Sequence, residues 1–259
     1  CQVRKRLARK IDLPGIFLTS SANLAFMKKA IIGFTTTLLM NLIITPVMVN
    51  AQDIQLPLPA RKGGKPLMEA LDERGSAREF SEKELTLQQL SDLLWAAWGI
   101  NREADGKRTA PSSHNNQEMD VYVTLKSGLY LYDAKGNVLI QIHDRDIRDL
   151  TGTQDFPATA PVNLVYVADL AKRGLQEGQL VTDTDLLSSW ANTGFMAQNV
   201  YLWCASEGLS CVIRAMVLRD KLAQEMGLMP LQRIVLAQTV GFPLNNHTNI
   251  YTEIFYPDH

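Results

Sequence analysis

Two arginines and a serine alternate in the segment Arg74-Gly75-Ser76-Ala77-Arg78-Glu79-Phe80. Because successive side chains of an extended chain point to opposite sides, Arg74, Ser76 and Arg78 would share one side. Two guanidinium groups and a hydroxyl on one side can surround a phosphate or a polyol, and Phe80 would anchor the end of the segment. Solvated arginines are common on protein surfaces, so the segment alone does not select a ligand.

A second polar segment, RTAPSSHNNQ, occupies residues 108–117, directly before a predicted strand. Such a run can offer hydroxyls, amides and backbone N–H groups to a heteroaromatic ligand. An ordinary turn-rich loop has a similar composition. The hydrogen-bonding candidates in it include Ser112, Ser113 and Asn115, which follow Pro111.

A predicted helix precedes each of the two polar segments and would set its position. Pro66 suits the first turn of a helix over residues 66–74, which precedes the arginine segment. Thr86 can cap a second helix over residues 87–98, and Gly99 would end it. Both helices are predicted to turn an apolar side to the core.

The longest predicted helix covers residues 183–207 and is apolar nearly all round, so we expect it to be central. A short helix is predicted near residues 219–226. The four tryptophans are expected in the core rather than against a cofactor: Trp95, Trp98, Trp190 and Trp203.

Alternating or continuous apolar runs predict a sheet. The strands are expected at residues 119–125, 128–132, 138–142, 162–168, 210–213 and 233–240. Outside them, the sequence predicts an extended arm at residues 52–64, a polar loop at 99–118 and an exposed arm at 250–256. Strands and helices without repeats or an internal linker indicate one α+β domain.

The chain has 259 residues with 26 Lys plus Arg and 27 Asp plus Glu, and a formal charge of −1. Near-neutrality argues against a nucleic-acid-binding protein, which needs a basic surface. The average conceals an asymmetry, because residues 1–51 hold seven bases and one acid. Residues 52–259 therefore carry 19 bases and 26 acids, a net charge of −7.

The basic part contains the pattern of a secretory signal peptide at residues 27–51: Met27-Lys28-Lys29, an apolar run, and small residues before Gln52. Residues 1–26 are interpreted as upstream sequence outside the native protein. We therefore expect an exported, periplasmic protein without a stable membrane span after cleavage. The alternative is a membrane anchor through residues 30–48, which the run's threonines, asparagine and proline disfavour.

Other sources of chemistry are weakly supported. Cys204 and Cys211 could pair in an exported protein, but their apolar neighbours favour two buried thiols. The run His143-Asp144-Arg145-Asp146 fits a solvated turn better than a metal site. The motif GxSxG of many serine hydrolases is absent from the sequence.

In order along the chain, these pieces resemble the FMN-dependent nitroreductase family. The similarity covers residues 67 to about 243, and five stretches carry it. They are the RxSxR element at Arg74, Ser76 and Arg78; the PSxxN-type loop at Pro111, Ser112, Ser113 and Asn115; Gln154 with Ala160-Pro161; Gly194 to Ser210 of the central helix; and Val240-Gly241-Phe242-Pro243.

The resemblance implies a nitroreductase-like α+β fold over residues 65–259, with a mostly antiparallel central sheet flanked by helices, a long central helix and an extended C-terminal arm. It also implies a homodimer with two FMN molecules at the interface. Arg74, Ser76 and Arg78 would hold the phosphate and ribityl chain, and Ser112, Ser113, Asn115 and Gln154 would face the ribityl chain or ring. The backbone at Ile213, Arg214 and Ala215 would lie near the pyrimidine edge and N5.

The implied activity is ping-pong electron transfer through bound flavin, with no side-chain nucleophile. The partner is a small conjugated, nitro- or quinone-type substrate, and NAD(P)H is a candidate donor. The hairpin at residues 128–133 is most similar to the azoline dehydrogenase branch. However, residues 176–189 lack that branch's Lys-Tyr pair, and no Lys or Arg follows Arg233. An azoline-type dehydrogenase or oxidase and a non-catalytic flavin-binding domain remain alternatives.

Overall fold

The computed structural model describes residues 52–244, so the predicted leader, signal peptide and C-terminal arm lie outside the described residues. Five helices are labelled in chain order: α1 Leu67–Glu73, α2 Leu87–Trp98, α3 Phe156–Thr159, α4 Asp183–Glu207 and α5 Arg219–Glu225. Nine strands are β1 Ile54–Gln55, β2 Ile100–Arg102, β3 Lys107–Arg108, β4 Met119–Leu125, β5 Gly128–Asp133, β6 Val138–His143, β7 Val162–Asp169, β8 Ser210–Arg214 and β9 Gln232–Gly241. The predicted helices and strands agree with these bounds to within one residue at each end.

Seven strands form one antiparallel sheet in the order β1-β6-β5-β4-β7-β9-β8. Strand β7 lies near its middle, with Val165 opposite Tyr122 of β4 and Ala237 of β9. All eight residues of β7 are buried, which confirms the prediction from its continuous apolar run. Helices α2 and α4 pack against each other and bury Leu93 and Val200 in the main core.

Helix α2 begins and ends where its sequence signals predict. The Gln89 N–H donates to Thr86 Oγ1 at 3.2 Å, and the Thr86 N–H donates to Gln89 Oε1 at 3.0 Å. This reciprocal pair is a capping box. Gly99 at the other end has an ordinary φ of −68°, but a Cβ there would lie 2.3 Å from the Trp95 ring. Close packing therefore requires the glycine.

The expected burial of two apolar helices is wrong in part. In α1, Leu67 is 63% and Met68 75% exposed, and only Ala70 is buried. In α4, the side that packs on the sheet is buried, whereas Leu187, Trp190 and Phe195 are exposed. Trp98 is in the core as predicted, but Trp190 is 42% exposed. An apolar pattern shows that a helix face favours burial, but it does not show whether that face is buried by the same chain or by another molecule.

The polar segments carry more structure than predicted. The arm contains β1, which forms one edge of the sheet and pairs with β6 through Ile54 opposite Leu139. The loop at residues 99–118 contains the β2–β3 ribbon and two short 3₁₀ turns. These strands of two or three residues are too short to show a side-chain alternation.

The described residues also show the state of the cysteines, the metal-ligating side chains and the apolar helices. Cys204 and Cys211 are both buried and unpaired, which confirms the prediction of two thiols. Within residues 52–244, we find no grouping of three or more metal-ligating side chains. No helix in that range is long and apolar enough to cross a bilayer.

Candidate functional site

The arginine segment lies along β8, the edge strand of the sheet. The Ala77 N–H donates to the Cys211 carbonyl at 3.0 Å, and the Ser81 N–H donates to the Phe242 carbonyl at 2.9 Å. Phe80 is 7% exposed and packs on Phe156, with 5.6 Å between ring centroids. These contacts confirm the anchor role of Phe80 and hold the preceding residues extended at the sheet edge, with Ser76 and Arg78 exposed.

Tyr201 of α4 joins the arginine segment to β8. Its hydroxyl oxygen lies 2.8 Å from Ser76 Oγ and accepts a hydrogen bond from the Ile213 N–H at 3.0 Å. The Arg74 guanidinium carbon lies 5.3 Å from the centroid of the Tyr201 ring, within the range of a cation–π contact. One buried side chain therefore contacts three residues of the predicted site.

Sequence reasoning missed Tyr201, since it counted the residue as one apolar position of a central helix. The signal available was its type, because a buried tyrosine usually places its hydroxyl against a polar partner. Which partner that would be depends on two segments 125 and 12 residues away. We call Arg74, Ser76, Tyr201 and Ile213, together with the exposed Arg78 two residues beyond Ser76 in the chain, the arginine cluster.

Gln154 adds an unpaired acceptor near the end of β8. Its Nε2 lies 3.6 Å from Met216 Sδ. Its Oε1 is buried and has no hydrogen-bond partner among the described residues. Because a buried polar atom is rarely left unpaired, this oxygen is suited to accept a hydrogen bond from a ligand.

Arg214 offers a ligand its backbone rather than its side chain. The guanidinium is 6% exposed and donates to the Thr151 carbonyl at 2.6 Å, Asn163 Oδ1 at 3.0 Å and Thr239 Oγ1 at 2.7 Å. Burial lowers the pKa of Arg214 to about 10, so it remains a cation at neutral pH. This side chain fastens β8 to the segment that precedes Gln154.

The serine-rich loop is held in an uncommon backbone conformation. His114, Asn115 and Gln117 have φ values of 52°, 54° and 49°, in the left-handed region that non-glycine residues seldom occupy. Two bonds close the loop on itself: the Gln117 N–H donates to Ser112 Oγ at 3.1 Å, and Gln117 Nε2 donates to Asn115 Oδ1 at 3.2 Å. Such strain persists only where the surroundings fix the backbone.

One side of the loop is braced by Arg108. Its Nε donates to Gln117 Oε1 at 2.8 Å and its Nη1 to the Trp98 carbonyl at 3.0 Å. Burial lowers the pKa of Arg108, and the guanidinium carbon lies 5.1 Å from the centroid of the Trp98 ring. Arg108 is thus engaged in holding the loop rather than being a free surface charge.

The other side of the loop is tied to α4. Asn192 Oδ1 accepts from the Ser113 N–H at 3.3 Å, and Asn192 Nδ2 donates to Glu118 Oε1 at 2.8 Å. Ser189 Oγ donates to the same carboxyl oxygen at 2.9 Å. Glu118 is fully buried, and its Oε2 has no partner among the described residues. Sequence reasoning assigned neither Glu118 nor Asn192 a role.

The predicted site residues form two separate groups within one chain. The arginine cluster and Gln154 lie beside β8, whereas Ser112, Ser113 and Asn115 lie beside the first half of α4. Asn192 and Tyr201, which anchor the two groups, are nine residues apart, or about 13 Å along the helix and about half a turn around it. One chain therefore presents two groups of candidate residues on different sides of α4.

A cavity of about 540 Å³ lies elsewhere, between the arm at residues 58–61, the β2–β3 ribbon and the turn after β5. Its lining includes Trp95, Tyr132 and Arg61, and none of the predicted flavin contacts.

The residues present fit a flavin nucleotide. The arginine cluster supplies two cations and a hydroxyl for a phosphate or polyol. Gln154 Oε1 supplies an unpaired acceptor, and the Nε2 of the same amide lies 3.6 Å from Met216 Sδ, two residues beyond the end of β8. This combination of anionic, polyol and ring-edge recognition is what FMN requires.

Comparison with known proteins gives a consistent family. Residues 71–242 match the model of the nitroreductase family. A protein of Methanocaldococcus jannaschii, named for the nitroreductases, is 30% identical over 176 residues, which is 64% of this chain and 84% of that protein.

Solved structures agree. A nitroreductase-type protein of Ralstonia eutropha JMP134 is 42% identical, with a TM-score of 0.69 over 74% of this chain and 90% of that one. The Escherichia coli microcin synthetase McbBCD, solved with truncated pro-MccB17 bound, is 16% identical with a TM-score of 0.55 over 93% of this chain and 87% of that one. The second likeness shows a shared fold alone.

Proposed function

The chain belongs to the nitroreductase family of oxidoreductases, and we propose that it is an FMN-dependent enzyme that acts as a homodimer. The observation that carries the proposal is the arginine cluster, in which Tyr201 holds Ser76, Arg74 and Ile213 in one place. The two arginines and the Ser76 hydroxyl match the phosphate of FMN. The unpaired amide oxygen of Gln154 matches a donor on its polar ring.

We assign the binding roles by what each group can offer. Arg74 and Arg78 are placed to neutralise the phosphate, and Ser76 to donate to it or to the ribityl chain. Gln154 Oε1 accepts from a donor on the flavin. Ser112, Ser113 and Asn115 form the other group, a second half-site, and would contact the flavin bound by the partner subunit.

The homodimer is supported by two features of the described residues. The half-sites lie on different sides of α4, so a second copy can bring complementary halves together. Exposed apolar side chains of α1 and α4 also need cover, since monomers seldom leave such patches open. They include Leu67, Met68, Leu187, Trp190 and Phe195.

Bound FMN supplies the hydride and electron chemistry. The chain's own groups bind, orient and shield it: the arginines set the phosphate end, and β8 sets the position of the ring edge through the buried Arg214 bonds. No side chain of the site needs to act as a nucleophile. The substrate class that fits is a small conjugated acceptor or donor, such as a nitroaromatic or a quinone.

Export is a further part of the proposal and rests on the signal-peptide pattern at residues 27–51. It matters for the electron donor, because NAD(P)H is a cytosolic reductant. An exported enzyme would need another donor or would act as an oxidase. The N-terminal residue of the protein isolated from cells tests cleavage after Ala51.

The test of the function is the spectrum and mass of the cofactor that copurifies with the protein. We expect a yellow protein with an FMN-sized ligand, whose flavin bleaches on anaerobic mixing with an electron donor. Rapid bleaching by NADH or NADPH identifies a reductase. A flavin that is bound but not bleached favours another donor, azoline-type oxidation or a non-catalytic domain. A colourless protein that does not bind added FMN contradicts the proposal.

A further inference from the structure

The hydroxyl of Tyr201 has one hydrogen bond whose direction is certain. A backbone N–H can only donate, so the phenol oxygen accepts from Ile213 at 3.0 Å. Tyr201 is 7% exposed, which leaves its own proton little access to water. Because a buried hydroxyl proton is normally bonded, this proton needs an acceptor within the protein.

Ser76 Oγ, 2.8 Å away, is the other hydrogen-bond partner of this hydroxyl among the described residues. Either oxygen can donate in this contact, and a Tyr201 proton that points to Ser76, with the Ser76 oxygen as the acceptor, is the arrangement that satisfies the buried phenol. This direction leaves the Ser76 proton free to donate elsewhere. Ser76 is exposed and lies between Arg74 and Arg78 in the chain.

We infer that Tyr201 is a positioning residue that makes Ser76 a hydrogen-bond donor to an anionic oxygen held between Arg74 and Arg78. The bonds run in one direction, from the Ile213 amide through Tyr201 and Ser76 to the ligand. Each bond in such a chain polarises the next, and a bond to a charged oxygen is the stronger kind. The ligand group that this arrangement selects is a phosphate monoester rather than a neutral hydroxyl.

The inference rests on the proposed function, because it takes the monoester to be the phosphate of FMN. Inorganic phosphate offers the same oxygens without a flavin. The two sources are separated by measuring FMN, riboflavin and inorganic phosphate on the same protein. FMN and riboflavin share the ring and ribityl chain and differ in the phosphate alone.

The test is Tyr201→Phe, which removes both hydroxyl bonds and keeps the ring beside Arg74. Losing an oriented donor to a charged oxygen should weaken FMN binding by about tenfold. Riboflavin, without the phosphate, should lose about twofold or less. Dissociation constants come from flavin fluorescence on the flavin-free protein, and stability from thermal unfolding.

Tyr166→Phe is the matched control. Tyr166 is fully buried in β7, and its hydroxyl donates at 2.6 Å to Gln238 Oε1, on the strand that pairs with β8, rather than to a residue of the arginine cluster. The same chemical change there should lower stability and leave both flavin affinities unchanged. In the Ser76→Ala protein, adding Tyr201→Phe should weaken FMN binding little further, since both substitutions break the same chain of hydrogen bonds.

Each outcome decides the inference. Selective loss of FMN in Tyr201→Phe, without selective loss in Tyr166→Phe, supports it. Equal weakening of FMN and riboflavin would mean that Tyr201 only packs the site, and the donor chain would be wrong although the protein is still a flavoprotein. If the wild type binds no flavin, the proposed function fails. The inference is then tested by whether inorganic phosphate raises the unfolding temperature of the protein. Phosphate should then stabilise the wild type more than Tyr201→Phe, and no difference between them overturns the inference.

Discussion

Asn192 is the position where one substitution should separate the serine-rich loop from α4. It is 2% exposed and bridges the Ser113 N–H to the fully buried Glu118 carboxyl. Asn192→Leu keeps the number and branching of the side-chain heavy atoms and removes both bonds. Glu118 Oε1 would keep its bond from Ser189 at 2.9 Å, whereas the Ser113 amide would lose the Asn192 oxygen.

The magnitude follows from the two bonds. A hydrogen bond to a carboxylate contributes about 1.5–3 kcal/mol and a neutral one about 0.5–1.5 kcal/mol. Buried leucine atoms offset part of the loss, so the free energy of unfolding should fall by about 3 kcal/mol. For a domain of roughly 200 residues this corresponds to a Tm lower by about 6–12 °C.

Thermal unfolding followed by circular dichroism measures the stability, and hydrogen exchange at the Ser113 amide measures the release of the loop. Asn199→Leu is the control on the same helix. Asn199 Nδ2 donates to the Ala96 carbonyl at 3.1 Å and, at the longer distance of 3.5 Å, to the Thr109 carbonyl. Both are neutral bonds, so their loss should lower stability by about 1 kcal/mol. The reasoning is refuted if Asn192→Leu is as stable as the wild type, or if the two variants are equally destabilised.

Three further predictions concern other parts of the described chain. Gly152→Ala places a Cβ 2.1 Å from Nη1 of Arg214 and should destabilise the protein by about 1–3 kcal/mol. Gly194→Ala, with open space around its Cβ, should instead stabilise α4 by about 0.5–1 kcal/mol. Equal unfolding temperatures for the two variants would contradict both expectations. Burial raises the pKa of Tyr132 to about 12, so between pH 10 and 12 the unfolded chain ionises first and Tyr132 alone should lower the stability by up to about 1.4 kcal/mol per pH unit. In denaturant unfolding, the stability of Tyr132→Phe should therefore fall less steeply with pH than that of the wild type. The thiols of Cys204 and Cys211 are buried and should react with a colorimetric thiol reagent only after unfolding, whereas reaction in the native protein would show that they are accessible.

Local patterns predicted the helices and most of the sheet because their signals are short-range. Thr86 and Gln89 cap α2 within one turn, and the apolar run of β7 needed no distant information to mark a strand buried on both faces. The alternation of Arg74, Ser76 and Arg78 likewise identified the segment that lies along β8. The bounds of α4 agree because a polar segment precedes it and Gly208, with φ of 68°, ends it.

The rest of the site depends on contacts between distant segments. Nothing local shows that the Tyr201 hydroxyl meets Ser76, which is 125 residues away, or that Asn192 meets Glu118 across 74 residues. The side-chain direction of Arg214 is also a tertiary result, since its partners Thr151, Asn163 and Thr239 come from three segments. Such bonds are set by packing after the elements have formed.

By itself, the sequence determined the elements, the α+β class, the family resemblance and the residue types able to hold a phosphate. These follow from periodicity, capping and motif spacing, which operate over a few residues. Only the tertiary structure decided that the predicted site residues form two separate groups, that α1 and one side of α4 leave apolar residues exposed, and that Tyr201 and Asn192 anchor those groups. The physical reason is that hydrogen-bond partners and burial are properties of the packed chain, and a one-dimensional pattern does not contain them.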